Sequence, residues 1–139
     1  MLCLMLARGC SAVPPALADS EIVYQTIAME GANQSLEGQS LIAGTLLNRA
    51  LIRGTKPEVE AMRPKQYSCW NDRNRAKTWL RRHFDSKTRT RAIQALERAR
   101  NASKWHPTHY HTLQVMPYWA RGHKPCVVVG NHAFYEGIK

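Results

Sequence analysis

The sequence predicts an α+β fold, predominantly α, in a single domain. Its 139 residues, 44% of them hydrophobic, suffice for one core but not for two. Apolar residues recur at helical spacing through most of the first hundred residues. Near the C-terminus, 126–129 is a β-branched run, Gly130-Asn131 is a turn signal, and 132–135 is expected to pair back on that run. Helices followed by a small β part indicate α+β.

The first two helices are marked by periodicity and by the glycines that end them. Residues 21–30 carry apolar side chains at loosely helical spacing, with Ser20 as the candidate N-cap and Gly31 as the stop. The next pattern, over 37–53, is apolar on most of its circumference, and Gly54 ends it. The second helix is therefore expected at the centre of the core.

Shorter elements complete the helical part. A brief helical turn is predicted over 57–62, where a proline suits the first helical position. Residues 64–71 have no helical period, which indicates a loop or a short strand, and 79–84 are expected to form a short helix. A longer helix is predicted over 86–102, with Ser86 as its cap and most of its basic side chains outward.

The charge balance favours an anionic partner. The formal net charge is +10, from 20 Lys and Arg against 10 Asp and Glu. Nucleic acid, anionic lipid and the acidic bacterial cell wall are all compatible with this charge. The basic middle of the chain, 73–100, has Trp70 and Trp79 close by, as in proteins that bind single strands. It carries no helix-turn-helix, RRM or OB signature, so we expect no nucleic-acid partner. The sequence contains no apolar run of 18 residues, so no transmembrane segment is predicted.

The N-terminus resembles an atypical export signal. A short apolar block precedes Ala16-Leu17-Ala18, which matches a signal-peptidase site, although Arg8 interrupts the pattern. We therefore predict a signal peptide over 1–18, a mature domain over 19–139, and a periplasmic or extracellular location; a phage-borne protein is equally compatible. A lipoprotein acylated at Cys10 and a cytosolic N-terminus are the alternatives.

Cysteine and histidine leave two further questions open. Outside the leader the cysteines are Cys69 and Cys126, which could form a disulfide in an oxidising compartment or remain thiols. His109 and His111 alternate as on one face of a strand, and with His132 they could supply three zinc ligands of an amidase. No HExxH or comparable spacing is present, so we expect no metal and no other cofactor.

One carboxylate between two predicted helices is the first candidate for chemistry. Glu30 closes the first helix, where the partial negative charge of the helix end disfavours an ionised carboxylate. A carboxylic acid that keeps its proton is what cleavage of a glycosidic bond requires. Glu37 is the candidate for a second carboxylate, but an acidic residue in a first helical turn is also favoured there by the helix dipole.

A family resemblance covers nearly all of 22–135. The matching motifs are Glu30-Gly31-Ala32, Leu36-Glu37-Gly38-Gln39, Leu47-Asn48-Arg49, Gln66-Tyr67-Ser68-Cys69-Trp70-Asn71-Asp72, His109-Tyr110, Trp119 and Gly130-Asn131-His132-Ala133-Phe134-Tyr135. In this order and spacing, the chain resembles the SleB-like cell wall hydrolases, the spore cortex-lytic type. It departs from them in its first motif, where Glu-Gly-Ala-Asn replaces the usual Glu-Ala-Arg-Gly.

The resemblance implies a lysozyme-like α+β fold and an enzyme that acts on peptidoglycan, and we expect this enzyme to be a monomer. It also implies cleavage of the MurNAc–GlcNAc bond by lytic transglycosylation, with Glu30 first as acid and then as base. The MurNAc 6-hydroxyl then closes a 1,6-anhydro ring, so one carboxylate suffices. Hydrolysis by a muramidase is the alternative and more often needs a second carboxylate.

Substrate contacts are expected in a segment that combines hydrogen-bonding side chains with aromatic faces, because sugar rings stack on aromatic residues and offer many hydroxyls. With the motif positions around the acid, the predicted substrate-binding residues are Glu37, Gln39, Gln66, Tyr67, Ser68, Trp70, Asn71 and Tyr110.

Overall fold

The computed structural model describes residues 21–102 and 107–139. The predicted signal peptide over 1–18 and the proposed cap Ser20 lie outside these residues. Within the described residues, five α-helices are followed by three short strands. The predicted α+β, predominantly α, fold is therefore confirmed.

The helices and strands alternate little along the chain. The strands form one antiparallel sheet with the order β1-β3-β2, so the last strand lies in the middle. The elements are α1 (Glu21–Glu30), α2 (Leu36–Arg53), α3 (Pro57–Ala61), α4 (Arg73–His83), α5 (Ser86–Asn101), β1 (His109–Thr112), β2 (Val127–Val129) and β3 (His132–Tyr135), with single 3-10 turns at Ser68–Trp70 and Tyr118–Ala120.

The central helix α2 has the caps that its sequence provides. At its start the Ser35 hydroxyl accepts a hydrogen bond from the Gly38 backbone N–H at 3.1 Å. At its end Gly54 takes the left-handed conformation, with φ of 64°, and closes the last turn. The predicted end of this helix and both predicted limits of α1 are confirmed, and α2 begins one residue before the predicted residue 37.

Two helix starts differ from the prediction because aspartate caps determine them. α4 begins at Arg73, six residues before the predicted 79, since Asp72 accepts a hydrogen bond from the Arg75 N–H at 3.0 Å. The first turn of α4 is polar and therefore gave no hydrophobic period. At α5 the cap is Asp85, which accepts from the Thr88 N–H at 2.8 Å, so the predicted cap Ser86 is wrong by one residue.

The main core lies where α1 and α2 pack on α5. Alanines at 92, 95 and 99 give α5 a flat inner face, which allows both helices a close approach. The core residues are Val23, Tyr24, Ile27, Ala28, Ala43, Leu46, Ala61, Tyr67, Ala92, Ala95, Leu96 and Ala99. The core thus fixes α1, and with α1 the position of Glu30.

A buried ion cluster joins α2 to α3. The Glu60 side chain has no exposed surface, and it lies 3.2 Å from the Nε atoms of Arg49, Arg53 and Arg63. Three guanidinium groups around one carboxylate stabilise its charge but leave the cluster with excess positive charge.

No helix among residues 21–102 and 107–139 is long and apolar enough to cross a membrane.

Candidate active site

A groove of about 940 Å³ runs between the helical part and the sheet. Its walls come from the end of α1, the segment 65–72, the first half of α4, β1, the segment 115–119 and the start of β3. This volume is within the range of small-ligand sites. The lining residues are Met29, Glu30, Arg49, Lys65, Gln66, Ser68, Cys69, Asn71, Asp72, Arg75, Ala76, Trp79, His109, Tyr110, His111, Thr112, Val115, Pro117, Trp119 and His132.

Glu30 is held in this groove by neutral donors. Its Oε1 accepts the Cys69 backbone N–H at 2.9 Å and the Ser68 hydroxyl at 3.3 Å. Its Oε2 accepts the Tyr110 hydroxyl at 2.9 Å. Among the described residues, no lysine or arginine forms an ion pair with this carboxylate.

The two oxygens of Glu30 therefore differ chemically. A backbone N–H can only donate, so Oε1 is a fixed acceptor. The Tyr110 hydroxyl on Oε2 can donate or accept, so Oε2 can carry a proton without losing its partner. This is the pairing that a group needs when it must both give and take a proton.

The neighbours of Glu30 stay protonated. Burial, and then the charge of Glu30, raise the pKa of the Tyr110 hydroxyl well above its ordinary value. The same two causes, in the same order, raise the pKa of the Cys69 thiol. Both groups therefore remain hydrogen-bond donors at neutral pH and do not compete with Glu30 as bases.

The position of Glu30 is supported from behind by α2. The Gln39 side-chain amide is buried and donates to the Gly31 carbonyl at 3.0 Å, one residue after Glu30. A β-carbon on Gly31 would lie 2.6 Å from the Gln39 side chain, so only glycine permits this contact. Gln39 thus lies behind the groove wall, where it orients the end of α1.

The remaining predicted substrate contacts divide into two groups. Gln66, Ser68, Asn71 and Tyr110 line the groove with Glu30. The other three residues do not line it. Glu37 is exposed in the first turn of α2, and Tyr67 is 2% exposed in the core. The Trp70 Nε1 donates a hydrogen bond to Thr26 Oγ1 at 2.9 Å.

Two aromatic residues that sequence reasoning did not assign to substrate face the groove. Trp79 comes from α4 and Trp119 from the segment before β2. Trp119 contacts the rings of His109 and His111 at centroid distances of 4.9 and 5.7 Å. In the sequence, Trp79 stands in a helical pattern within the basic segment and Trp119 between prolines, and neither setting indicates a sugar-binding surface.

The histidines form part of the sheet wall. Burial first, and then the positive charges of Arg49 and Arg53, lower the pKa of His109 to about 4. Burial is also the main cause that lowers the pKa of His132, and Glu30 opposes it. His111 uses both ring nitrogens, one with the Thr112 carbonyl at 2.8 Å and one with the Tyr135 hydroxyl at 2.9 Å.

No set of three or more His, Cys, Asp or Glu side chains within the described part of the chain is placed to hold a metal ion. The possible disulfide is also absent there, because Cys69 and Cys126 are both thiols.

Comparison with known proteins gives one family. The model of a family described as Cell Wall Hydrolase matches residues 33–135. The matched part contains the segment 65–72, β1 and β3, whereas Glu30 lies three residues before it. No curated protein and no solved structure matches the chain.

Proposed function

Because the chain belongs to the Cell Wall Hydrolase family, a family that degrades peptidoglycan, we propose that it is a lytic transglycosylase that cleaves the MurNAc–GlcNAc bond with Glu30 as acid and base. The predicted resemblance to the SleB-type cell wall hydrolases is confirmed by the match over residues 33–135. The bond, the mechanism and the residue are our proposal.

The observation that carries the proposal is the environment of Glu30. Its carboxylate lies in the groove of about 940 Å³ and is held by the Cys69 N–H and the hydroxyls of Ser68 and Tyr110. These neutral partners orient the carboxylate and leave it able to exchange a proton. Gln66, Asn71, Trp79 and Trp119 supply hydrogen bonds and aromatic faces for the sugars.

In the proposed reaction Glu30 donates one proton and later takes up another. Its Oε2–H protonates the oxygen that links MurNAc to GlcNAc, and the bond from C1 to that oxygen breaks. The sugar passes through an oxocarbenium-like state while Glu30 becomes ionised. The carboxylate then takes the proton of the MurNAc 6-hydroxyl, whose oxygen bonds to C1 and closes the anhydro ring. Glu30 ends the cycle protonated again.

The shortage of carboxylates favours this mechanism over hydrolysis with two acids. Among the described residues that line the groove, the carboxylates are Glu30 and Asp72. Asp72 Oδ1 is already used as the cap of α4, and Glu37 is exposed on α2 outside the groove lining. A substrate that provides its own nucleophile makes a second carboxylate unnecessary.

Two rivals remain as outcomes of experiments. A muramidase would use the same Glu30 with water in place of the 6-hydroxyl. A zinc amidase is disfavoured because His111, the middle residue of the candidate ligand set, engages both ring nitrogens in hydrogen bonds. Since peptidoglycan lies outside the cytoplasmic membrane, the proposal includes a periplasmic or extracellular place of action, or delivery by a phage.

The substitution Glu30→Gln tests the assignment of the acid. It removes the transferable proton with little change of shape, so cleavage of purified peptidoglycan is expected to fall at least about a thousandfold. Binding to peptidoglycan and the unfolding midpoint are expected to stay near those of the native protein. Wild-type turnover in this variant would show that another residue is the acid.

A further inference from the structure

The groove lining contains cations that the proposed reaction at Glu30 does not use. Three of its lining residues are cations, namely Arg49, Lys65 and Arg75, against the two carboxylates Glu30 and Asp72. Lys65 and Arg75 are exposed at the rim, whereas the Arg49 side chain is only 14% exposed. The two exposed cations, Lys65 and Arg75, are called the basic rim below.

Arg49 brings the excess charge of a buried cluster to the groove. It shares Glu60 with two other arginines, so its own positive charge is only partly neutralised. The effect reaches β1, because the charges of Arg49 and Arg53, after burial, contribute to the lowered pKa of His109. A ligand near this part of the groove therefore meets a positive potential.

The backbone at Lys65 adds an independent observation. Its φ is 62°, in the left-handed region, where a residue with a β-carbon costs about 1 kcal/mol relative to glycine. Glycine would relieve that cost, yet the chain has a lysine at this turn beside Gln66 and Ser68. Backbone strain of this kind concentrates at binding and catalytic sites, which fits the place of Lys65 in the groove lining.

We propose that the basic rim binds carboxylates of the peptides attached to the glycan strand. This inference rests on the proposed function and names the part of peptidoglycan that its groove recognises beside the sugars. Each peptide is linked to the lactyl group of a MurNAc residue, and the bond to be cleaved starts at that sugar. Free carboxylates of the peptide therefore lie close to the reacting bond, and a cation on the groove rim can reach them.

Asp72 and Glu30 leave the groove lining with a formal excess of one positive charge, from three cations against two carboxylates. Asp72 directs one oxygen to the backbone of α4, and Glu30 faces Cys69, Ser68 and Tyr110. Sugar hydroxyls would occupy the part of the groove beside Glu30, and the peptide would leave toward the basic rim. The rim thus favours strands that still carry peptides over bare glycan.

A binding experiment with the inactive variant Glu30→Gln tests this proposal without turnover. Soluble glycan strands with native peptides are compared with the same strands after their carboxyl groups are coupled to ethanolamine as neutral amides. A third sample is stripped by an amidase, so that its only carboxylates are the lactyl groups. We expect about fivefold weaker binding of the neutralised and the stripped strands.

Charge-matched double variants separate the basic rim from the overall charge of the protein. In the Glu30→Gln background, Lys65→Gln with Arg75→Gln removes two groove cations, and Lys87→Gln with Arg98→Gln removes two exposed cations of α5 that do not line the groove. The first pair is expected to bind all three strands about equally, while the second keeps the fivefold preference.

Three results would overturn the inference. Equal binding of native and neutralised strands by the Glu30→Gln protein would exclude carboxylate recognition. Equal binding of native and stripped strands would assign the carboxylate to the lactyl group. Equal loss in both double variants would assign the preference to long-range charge. A failure of the proposed reaction would look different from a failure of this inference. In that case the native protein would leave the glycan strands uncleaved, whether or not it binds them.

Discussion

Two carboxylates of this protein are both surrounded by donors, yet their surroundings differ in charge. Glu60 is fully buried and lies 3.2 Å from each of three arginine Nε atoms. Glu30 faces a groove and receives hydrogen bonds from a backbone N–H and two hydroxyls. Three cations pair with Glu60, whereas neutral donors alone hold Glu30 in place.

The difference separates a structural from a chemical role. Glu60 ties α2 to α3 through Arg49 and Arg53, so its charge is needed permanently. Glu30 ties α1 to segments far along the chain, but through contacts that one of its oxygens can keep in either protonation state. A substitution of Glu60 should therefore lower stability and leave the chemistry of folded molecules intact, whereas a substitution of Glu30 should abolish activity and leave stability intact.

The largest stability effect is expected for Glu60→Gln. An amide cannot neutralise three guanidinium groups, so the free energy of unfolding should fall by about 2 to 4 kcal/mol. Urea denaturation of this variant beside Glu30→Gln provides the measurement, with cleavage rates corrected for the folded fraction. The comparison fails if Glu60→Gln is as stable as the native protein, or if its folded molecules lose activity as Glu30→Gln does.

A smaller loss is expected when Tyr110→Phe removes the partner of Glu30 Oε2. Since Tyr110 positions the acid, kcat should fall about tenfold to a hundredfold while KM changes little. Tyr135→Phe is the matched control, because its hydroxyl contacts His111 in the same sheet and should leave kcat within about twofold. Similar losses of kcat in both variants, or a change confined to KM, would contradict the role of Tyr110 in positioning Glu30.

A pH effect on stability is expected from His109. Its folded pKa of about 4 is below the ordinary value of 6.5, so the unfolded chain binds more protons between these values. The contribution of His109 to the free energy of unfolding is therefore fully present above pH 6.5. As the pH falls toward 4, roughly 1 to 2 kcal/mol of it is lost. Thermal unfolding at pH 7 and 4.5 should show a smaller loss for His109→Gln, and an equal loss would contradict the assignment.

Local features of the fold could be predicted from the sequence because they depend on neighbouring residues. The end of α1 at Glu30 follows from Gly31, and the end of α2 follows from Gly54. The late predicted start of α4 shows the limit of this approach. The first turn of that helix depends on the Asp72 cap and has no apolar period.

The candidate site was only partly predictable, because its contacts join distant parts of the chain. Glu30 meets Cys69 and Tyr110 across 39 and 80 residues, and no local pattern encodes either pairing. Trp70 looked suitable for stacking on a sugar, but its indole N–H reaches Thr26 instead. Gln39 stands in a motif near the acid, yet helix α2 directs it to Gly31 behind the groove.

The products of wild-type digestion test the central claim that one carboxylate both gives and takes the proton. Mass spectrometry of digested peptidoglycan should detect muropeptides that end in 1,6-anhydro-MurNAc, each lighter by one water than the hydrolysed product, and none of them with Glu30→Gln. Reducing MurNAc ends in place of anhydro ends, or release of intact peptides from the glycan, would contradict it.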